Sequence, residues 1–166
     1  GDKGKPVIML FPGTTCYWKG NFGGVIDELK KTFLVAAVAY TGFDDEDTES
    51  YASVEDELEK IEQYIIDNYG GRICAAYGCS LGGTFVAHLT ARHRVHIQYG
   101  IIGSADMDQA GKLKADILTG IMVKATYSFI HTGRYSSRLM QKRFKKQMDD
   151  PDPYNRGFVA MTGRDK

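Results

Sequence analysis

Gly78-Cys79-Ser80-Leu81-Gly82 sets one serine between two glycines in a G-x-S-x-G spacing. A serine hydroxyl can attack an acyl carbon if a base takes its proton and donors hold the charge that develops on the carbonyl oxygen. The five-residue string arises readily by chance, so its meaning comes from what flanks it. Arg72 to Tyr77 reads as a buried strand, and the stretch from about Leu81 to Arg92 reads as a helix. A strand that turns at once into a helix places its serine on a tight, strained turn, with the hydroxyl above the carboxyl edge of the sheet. Glycine is required at 78 and 82 because a side chain at either place would collide with neighbouring backbone. The helix beginning at Leu81 aims its free N–H groups and positive dipole end at Ser80, which favours an oxyanion beside it.

The elements that would position this serine form an alternating series. Lys5 to Phe11 is an apolar run closed by Pro12-Gly13-Thr14-Thr15 and reads as a strand buried on both faces. A helix is expected from about Phe22 to Lys31, with Val25, Ile26 and Leu29 on one face and a start weakened by Gly23 and Gly24. Phe33 to Tyr40 reads as a second buried strand ending at Thr41-Gly42. Residues 44–62 are strongly acidic, but Val54, Leu58, Ile61 and Ile65 share one helix face. Ser53 with Asp56 resembles a capping box, and Gly70-Gly71 supplies the stop. This segment is therefore expected to be an amphipathic helix with a solvated acidic face rather than a cation site. His96 to Ile102 reads as a fourth strand. Strands alternating with helices predict an α/β fold, a parallel sheet with helices on both faces.

The pattern changes after Ala105. Leu113, Ile117, Ile121, Ala125 and Phe129 mark a long helix, and Arg134 to Met148 marks another, with a basic face, before Asp149-Asp150-Pro151 breaks it. Three segments are expected: a core over residues 1–105, a helical lid over 106–157, and over 158–166 either the start of a further core strand or another lid helix.

At these residues the sequence resembles the α/β-hydrolase family, over about residues 5–105. Phe11-Pro12-Gly13-Thr14 looks like the family's H-G-x oxyanion loop, with Pro12 where the family usually has His. Trp18 matches an aromatic often found a few residues later, and Gly78 to Gly83 matches the nucleophile elbow. The resemblance implies Ser80 as nucleophile and the backbone N–H groups of Leu81 and Thr14 as the oxyanion hole. The family's base is a His after the last strand, oriented by an acid on a preceding strand. None of His88, His93, His96 and His131 occupies that position, and each reads as structural, His131 being the one a lid could bring to a site. Asp106, with Asp108 close behind, and Asp165 are alternative candidates for the acid; for Asp106 a helix cap is the competing role. Tyr17, Trp18, Tyr40 and Phe43 fall on loops at the carboxyl edge, where they could line an apolar acyl pocket or pack beneath the lid. Cys79 is expected to point into the sheet as packing. Against the family pattern the chain opens in its first recognisable strand and stops before the strand that presents the His. The resemblance thus implies a hydrolase truncated at its C-terminus, with an unpaired sheet edge that invites a homodimer.

Composition bounds the rest. The 166 residues carry 21 Lys+Arg against 21 Asp+Glu, so charge gives no support for a nucleic-acid or membrane-surface partner. Hydrophobic content of 43% with 25% charged residues fits a folded globular protein rather than a disordered one. The longest apolar run, Phe33 to Tyr40, is too short to span a bilayer. Cys16, Cys74 and Cys79 have no C-x-x-C spacing, so they read as neither a disulfide framework nor a zinc site, and an odd count fits a reducing compartment. Gly13-Thr14-Thr15 after a strand lacks the G-K-[ST] of a phosphate loop. The expectation is a cytoplasmic serine hydrolase without cofactor or metal, taking a small-molecule acyl substrate. The competing reading is a non-catalytic protein of the same fold that binds a ligand or a partner.

Overall fold

The computed structural model describes residues 4–14, 16–42, 49–105, 117, 119 and 120. The chain divides into two units, Gly1–Met107 with Arg164–Lys166, and Asp108–Gly163. The described elements of the first unit are β1 (Val7–Phe11), α1 (Trp18–Leu29), β2 (Leu34–Ala37), α2 (Val54–Tyr69), β3 (Arg72–Cys79), α3 (Leu81–Arg92) and β4 (His96–Gly103). The helical lid expected over 106–157 and the segment 158–166 lie outside the described residues, apart from the three positions above.

The four strands form one sheet in the order β2-β1-β3-β4, with every neighbouring pair parallel. Side chains alternate across a strand, and β1 uses both sides. Ile8 and Leu10 pack with Phe22 and Ile26 of α1, whereas Met9 and Phe11 pack with Leu58, Ile61 and Ile65 of α2 and with Phe85, Val86 and Leu89 of α3. One helix therefore covers one face and two cover the other. Two-sided burial is why β1 is apolar at every position.

Several boundaries moved. Helix α1 begins at Trp18 rather than Phe22, running through Gly23 and Gly24. Its buried residues are Phe22 and Ile26, with Leu29 partly buried, at helical spacing, while Val25 is 50% exposed. Packing of Phe22 and Ile26 against the sheet outweighs the low helix propensity of the glycines. Strand β2 is shorter than the apolar run: its last bond to β1 runs from the Val38 N–H to the Leu10 carbonyl at 2.9 Å, and beyond the ladder Tyr40 stays on the face of Ala36 and Val38, in the core beside α2 and α3.

The start of α2 follows the capping pattern, with the Asp56 N–H donating to Ser53 Oγ at 3.1 Å and the Ser53 hydroxyl donating to Asp56 Oδ2 at 2.6 Å. Its acidic face is not wholly solvated, however. Glu57 and Glu62 are 3% and 2% exposed. The Glu62 carboxylate accepts two bonds from Arg92, at 2.8 Å from Nε and 3.3 Å from Nη2, and pairs with Arg94 Nη1 at 3.1 Å. Glu57 Oε2 accepts from the Thr41 N–H at 3.3 Å. Two of the acids thus tie α2 to α3 and to the loop after β2.

Strand β4 pairs with β3 and, among the described residues, has no neighbour on its other side. Tyr99, Ile101 and Ile102 are each about half exposed.

Candidate active site

One residue, Ser80, separates the end of β3 from the start of α3. Its backbone sits at φ +50° and ψ −120°, a conformation that non-glycine residues rarely adopt and that persists only when surrounding bonds enforce it. Those bonds are present. The Ser80 N–H donates to the Gly103 carbonyl at 2.8 Å, and the Ser80 carbonyl accepts from the N–H groups of Gly83 at 2.9 Å and Thr84 at 3.3 Å. The first nitrogen is held as in a strand and the carbonyl as in a helix. Ser80 is exposed, and its hydroxyl does not cap α3.

The two glycines of the spacing are where backbone approaches most closely. A Cβ at Gly78 would overlap the Gly82 carbonyl, and a Cβ at Gly82 would overlap the Phe11 carbonyl at the end of β1. The collisions expected from sequence are thus present, and they show what the glycines permit: α3 starts directly against β1 and β3. Gly83 permits a second close approach, toward the end of β4, since a Cβ there would lie 2.7 Å from Ala105 Cβ and 3.1 Å from Ile102 Cγ2.

The loop after β1 lies beside the serine. A Cβ on Gly13 would be 3.6 Å from Ser80 Cβ, from the Cys79 carbonyl and from Cys16 Sγ. Three bonds brace this loop. The Tyr40 hydroxyl donates to the Pro12 carbonyl at 3.1 Å, the Gly13 N–H donates to Asn21 Oδ1 at 3.0 Å, and the Cys16 N–H donates to the Gly13 carbonyl at 3.1 Å. The Cys16 thiol also donates to the Thr14 carbonyl at 3.4 Å. Among the described residues the N–H groups of Thr14 and Leu81 have no hydrogen-bond partner. Both belong to segments that border Ser80, and Leu81 opens α3, so its N–H carries the positive end of the helix dipole.

Burial pushes the Cys16 thiol up, with the neighbouring Cys79 adding to the shift, so the thiol stays protonated near neutral pH. Cys79 donates its S–H to Asn21 Oδ1 at 3.3 Å, which makes it a bonded member of the site as well as packing.

Tyr40 departs from the expectation of a pocket-lining residue. It is 1% exposed, stacked on Phe85 at 4.7 Å between centroids, and its hydroxyl is spent on Pro12. It supports the loop from within the core because it shares, by alternation, the sheet face of Ala36 and Val38, which α2 and α3 cover. Tyr17 and Trp18 are half-buried at the start of α1, with ring centroids 5.6 Å apart and Lys19 Nζ near both rings. Trp18 also packs against Phe22 and Ile26. Phe43, Asp106, Asp108, Asp165 and His131 lie outside the described residues.

The three remaining histidines are remote from Ser80. His88 follows it by eight residues along α3, about 12 Å of helix. His93 caps the far end of α3, and His96 starts β4 opposite Arg72 at the amino edge of the sheet. Among the described residues no group of three or more His, Cys, Asp or Glu side chains could hold a metal ion, and no helix is long and apolar enough to cross a membrane.

Asn21 escaped the sequence reading. The available signal was an asparagine inside a helix, where its side chain competes with the backbone and is disfavoured unless it has another use.

No protein-family model matches the chain, and no curated protein matches it in sequence. Solved structures do. A protein from Desulfitobacterium hafniense described as of the α/β-hydrolase family superposes with a TM-score of 0.74 at 18% identity, over 99% of this chain and 65% of its own. A hydrolase from Pseudomonas aeruginosa gives 0.68 at 15% identity, over 98% and 60%. A structure from work on carboxylesterases of Nitrososphaera gargenis gives 0.61 at 15% identity, over 98% and 64%. The chain has the α/β-hydrolase fold. It spans less than two thirds of the length of these three structures.

Proposed function

We propose that the chain carries the nucleophile and oxyanion hole of a serine hydrolase acting on a carboxylic ester or related acyl compound. The observation that carries this reading is the exposed Ser80 at φ +50°, lodged between β3 and α3 with the Thr14 loop beside it. A residue held in a strained conformation by three backbone bonds is a mark of a functional position. The hydrolase structures that share the fold support the same class.

In this reading the Ser80 hydroxyl attacks the substrate carbonyl carbon and its proton passes to a base. The oxygen that becomes negative takes bonds from the Leu81 and Thr14 N–H groups. The alcohol leaves with a proton, and water then cleaves the acyl-serine. Tyr17 and Trp18 border the acyl group, with Asp106 or Asp165 as the acid that orients the base.

A fluorophosphonate probe tests the nucleophile. It should label the chain at Ser80, and label that persists in Ser80→Ala would sink the assignment. The second reading, a ligand-binding protein of this fold without catalysis, draws on the distance of His88, His93 and His96 from Ser80. For that reason the 166-residue chain should turn over p-nitrophenyl acetate slowly, several orders of magnitude below a complete serine hydrolase. Rapid hydrolysis abolished by Ser80→Ala would exclude the second reading.

A further inference from the structure

Asn21 sits one turn into α1, its N–H donating to the Tyr17 carbonyl at 3.0 Å. Its side-chain oxygen accepts two bonds from chain segments far apart in sequence. One comes from the Gly13 N–H at 3.0 Å, eight residues back, and the other from the Cys79 thiol at 3.3 Å, fifty-eight residues on. Gly13 immediately precedes Thr14, and Cys79 immediately precedes Ser80. A single amide oxygen, with its two lone pairs both in use, therefore joins the loop that offers one oxyanion donor to the strand end that carries the nucleophile. The group is partly buried, where an amide N–H left without a partner is costly, so the loop has a strong preference for this one arrangement.

We propose that Asn21 is a positioning residue: its Oδ1 sets the distance between the Thr14 N–H and Ser80 Oγ. The proposal rests on the reading of Ser80 as nucleophile and of the Thr14 N–H as a donor to the oxyanion. Oxyanion stabilisation depends on donors placed where the charged oxygen will be, and a displacement near 1 Å is enough to cost about a hundredfold. Cys79 takes part through its thiol, which pins the residue before the nucleophile to the same oxygen. Among the described residues, Asn21 is the side chain of α1 hydrogen-bonded to these two segments, whereas Trp18, Phe22 and Ile26 make apolar contacts.

The test uses the full chain and two separate readouts. In the first, wild type and Asn21→Ala are labelled at Ser80 with a fluorophosphonate over a range of probe concentrations. The variant should lose about ten- to a hundredfold in the maximal labelling rate, with the half-saturating probe concentration changed by no more than about threefold. A residue that merely stabilised the fold would lower the melting temperature without separating these two constants. In the second, alkylation of Cys79 by iodoacetamide is followed by mass spectrometry. It should speed up in Asn21→Ala, which frees the thiol, and stay slow in Asn21→Asp, which keeps an acceptor at the same place and guards against misfolding of the alanine variant. Wild type that labels at Ser80, with Asn21→Ala labelling at the same maximal rate, overturns the positioning role and leaves the nucleophile reading intact. Wild type that does not label overturns the nucleophile reading and the positioning role with it. Cys79 alkylation that is equal in all three proteins overturns the brace itself.

Discussion

The Ser80 N–H donates a 2.8 Å hydrogen bond to the Gly103 carbonyl, which ties the residue between β3 and α3 to the last residue of β4. The β3–β4 ladder pairs Cys79 with Gly103, so this bond carries strand pairing one residue past the end of β3. The Ser80 carbonyl has by then entered the helix through Gly83 and Thr84. A chain that must satisfy a strand on one side of a residue and a helix on the other leaves that residue little choice of φ. Position 80 takes +50° for this reason, and the side chain is thrown outward at the sheet edge.

Strain at Ser80 should be measurable by removing it. Glycine tolerates positive φ, whereas alanine is as strained as serine. Ser80→Gly should therefore be more stable than Ser80→Ala, by about 1 kcal/mol after allowance for the extra freedom of glycine in the unfolded chain, and should melt higher. Thermal unfolding of the two variants compares them, neither of which should take the fluorophosphonate label. Equal melting temperatures would mean that the backbone at 80 is not under strain.

Gly78→Ala and Gly82→Ala should be far more harmful than an ordinary glycine replacement in a strand or helix. Each new methyl group would overlap a backbone carbonyl, of Gly82 and Phe11 respectively, and backbone held in a ladder or helix start cannot yield cheaply. A loss upwards of about 2 kcal/mol is expected in each, with Ser80 labelling reduced even where the protein remains folded. Gly23→Ala is the control, because a Cβ there meets open space and α1 should gain stability.

How much of this was legible beforehand follows from what each residue depends on. β1, β3 and the Ser80 junction could be read because their signals are local: apolar runs, then a serine between glycines. The burial of Glu57 and Glu62 was not legible. It depends on Arg92, thirty residues away, and on the Thr41 backbone, so the acidic stretch looked like any solvated face. The burial of Tyr40 rests on alternation running on past β2, which puts it with Ala36 and Val38 under α2 and α3 although the sequence shows only an aromatic before Thr41-Gly42. Asn21 acquires meaning only from two distant partners, Gly13 in the loop after β1 and Cys79 at the end of β3. The start of α1 is not a local signal either, because the packing of Phe22 against the sheet outweighs the low helix propensity of Gly23 and Gly24.

The Arg92–Glu62 pair should behave as a buried ion pair whose loss is asymmetric. Arg92→Ala leaves a buried Glu62 carboxylate with the more exposed Arg94, at 3.1 Å, as its remaining partner. A destabilisation of about 3 kcal/mol is expected in chemical denaturation. Replacing both charges together, as Arg92→Met with Glu62→Leu, should recover much of that loss, because no buried charge then remains without its partner. Ser80 labelling should be unchanged in both proteins, since the pair joins α2 to the end of α3 remote from Ser80.

Alkaline pH should destabilise the fold through its tyrosines, with the direction set by their shifts. Burial, foremost, and then the neighbouring Cys79, Tyr51, Glu57 and Cys16 hold the Tyr40 hydroxyl protonated well beyond the ordinary tyrosine range. Tyr69 is pushed up to about 12 by burial and by its hydrogen bond with Tyr64. Between an unfolded value near 10 and these folded values, the unfolded chain has released protons that the folded chain still holds. The resulting contribution is fully present below about pH 10 and is lost as pH rises from there through the folded values. Tyr40→Phe cannot ionise at 40, so its stability should fall less steeply above pH 10. At pH 7 it should be about 1–2 kcal/mol less stable than wild type, because the Pro12 carbonyl loses its donor. The two stability curves should therefore converge as pH rises, and parallel curves in urea unfolding from pH 7 to 11.5 would show that Tyr40 is not held protonated by the fold.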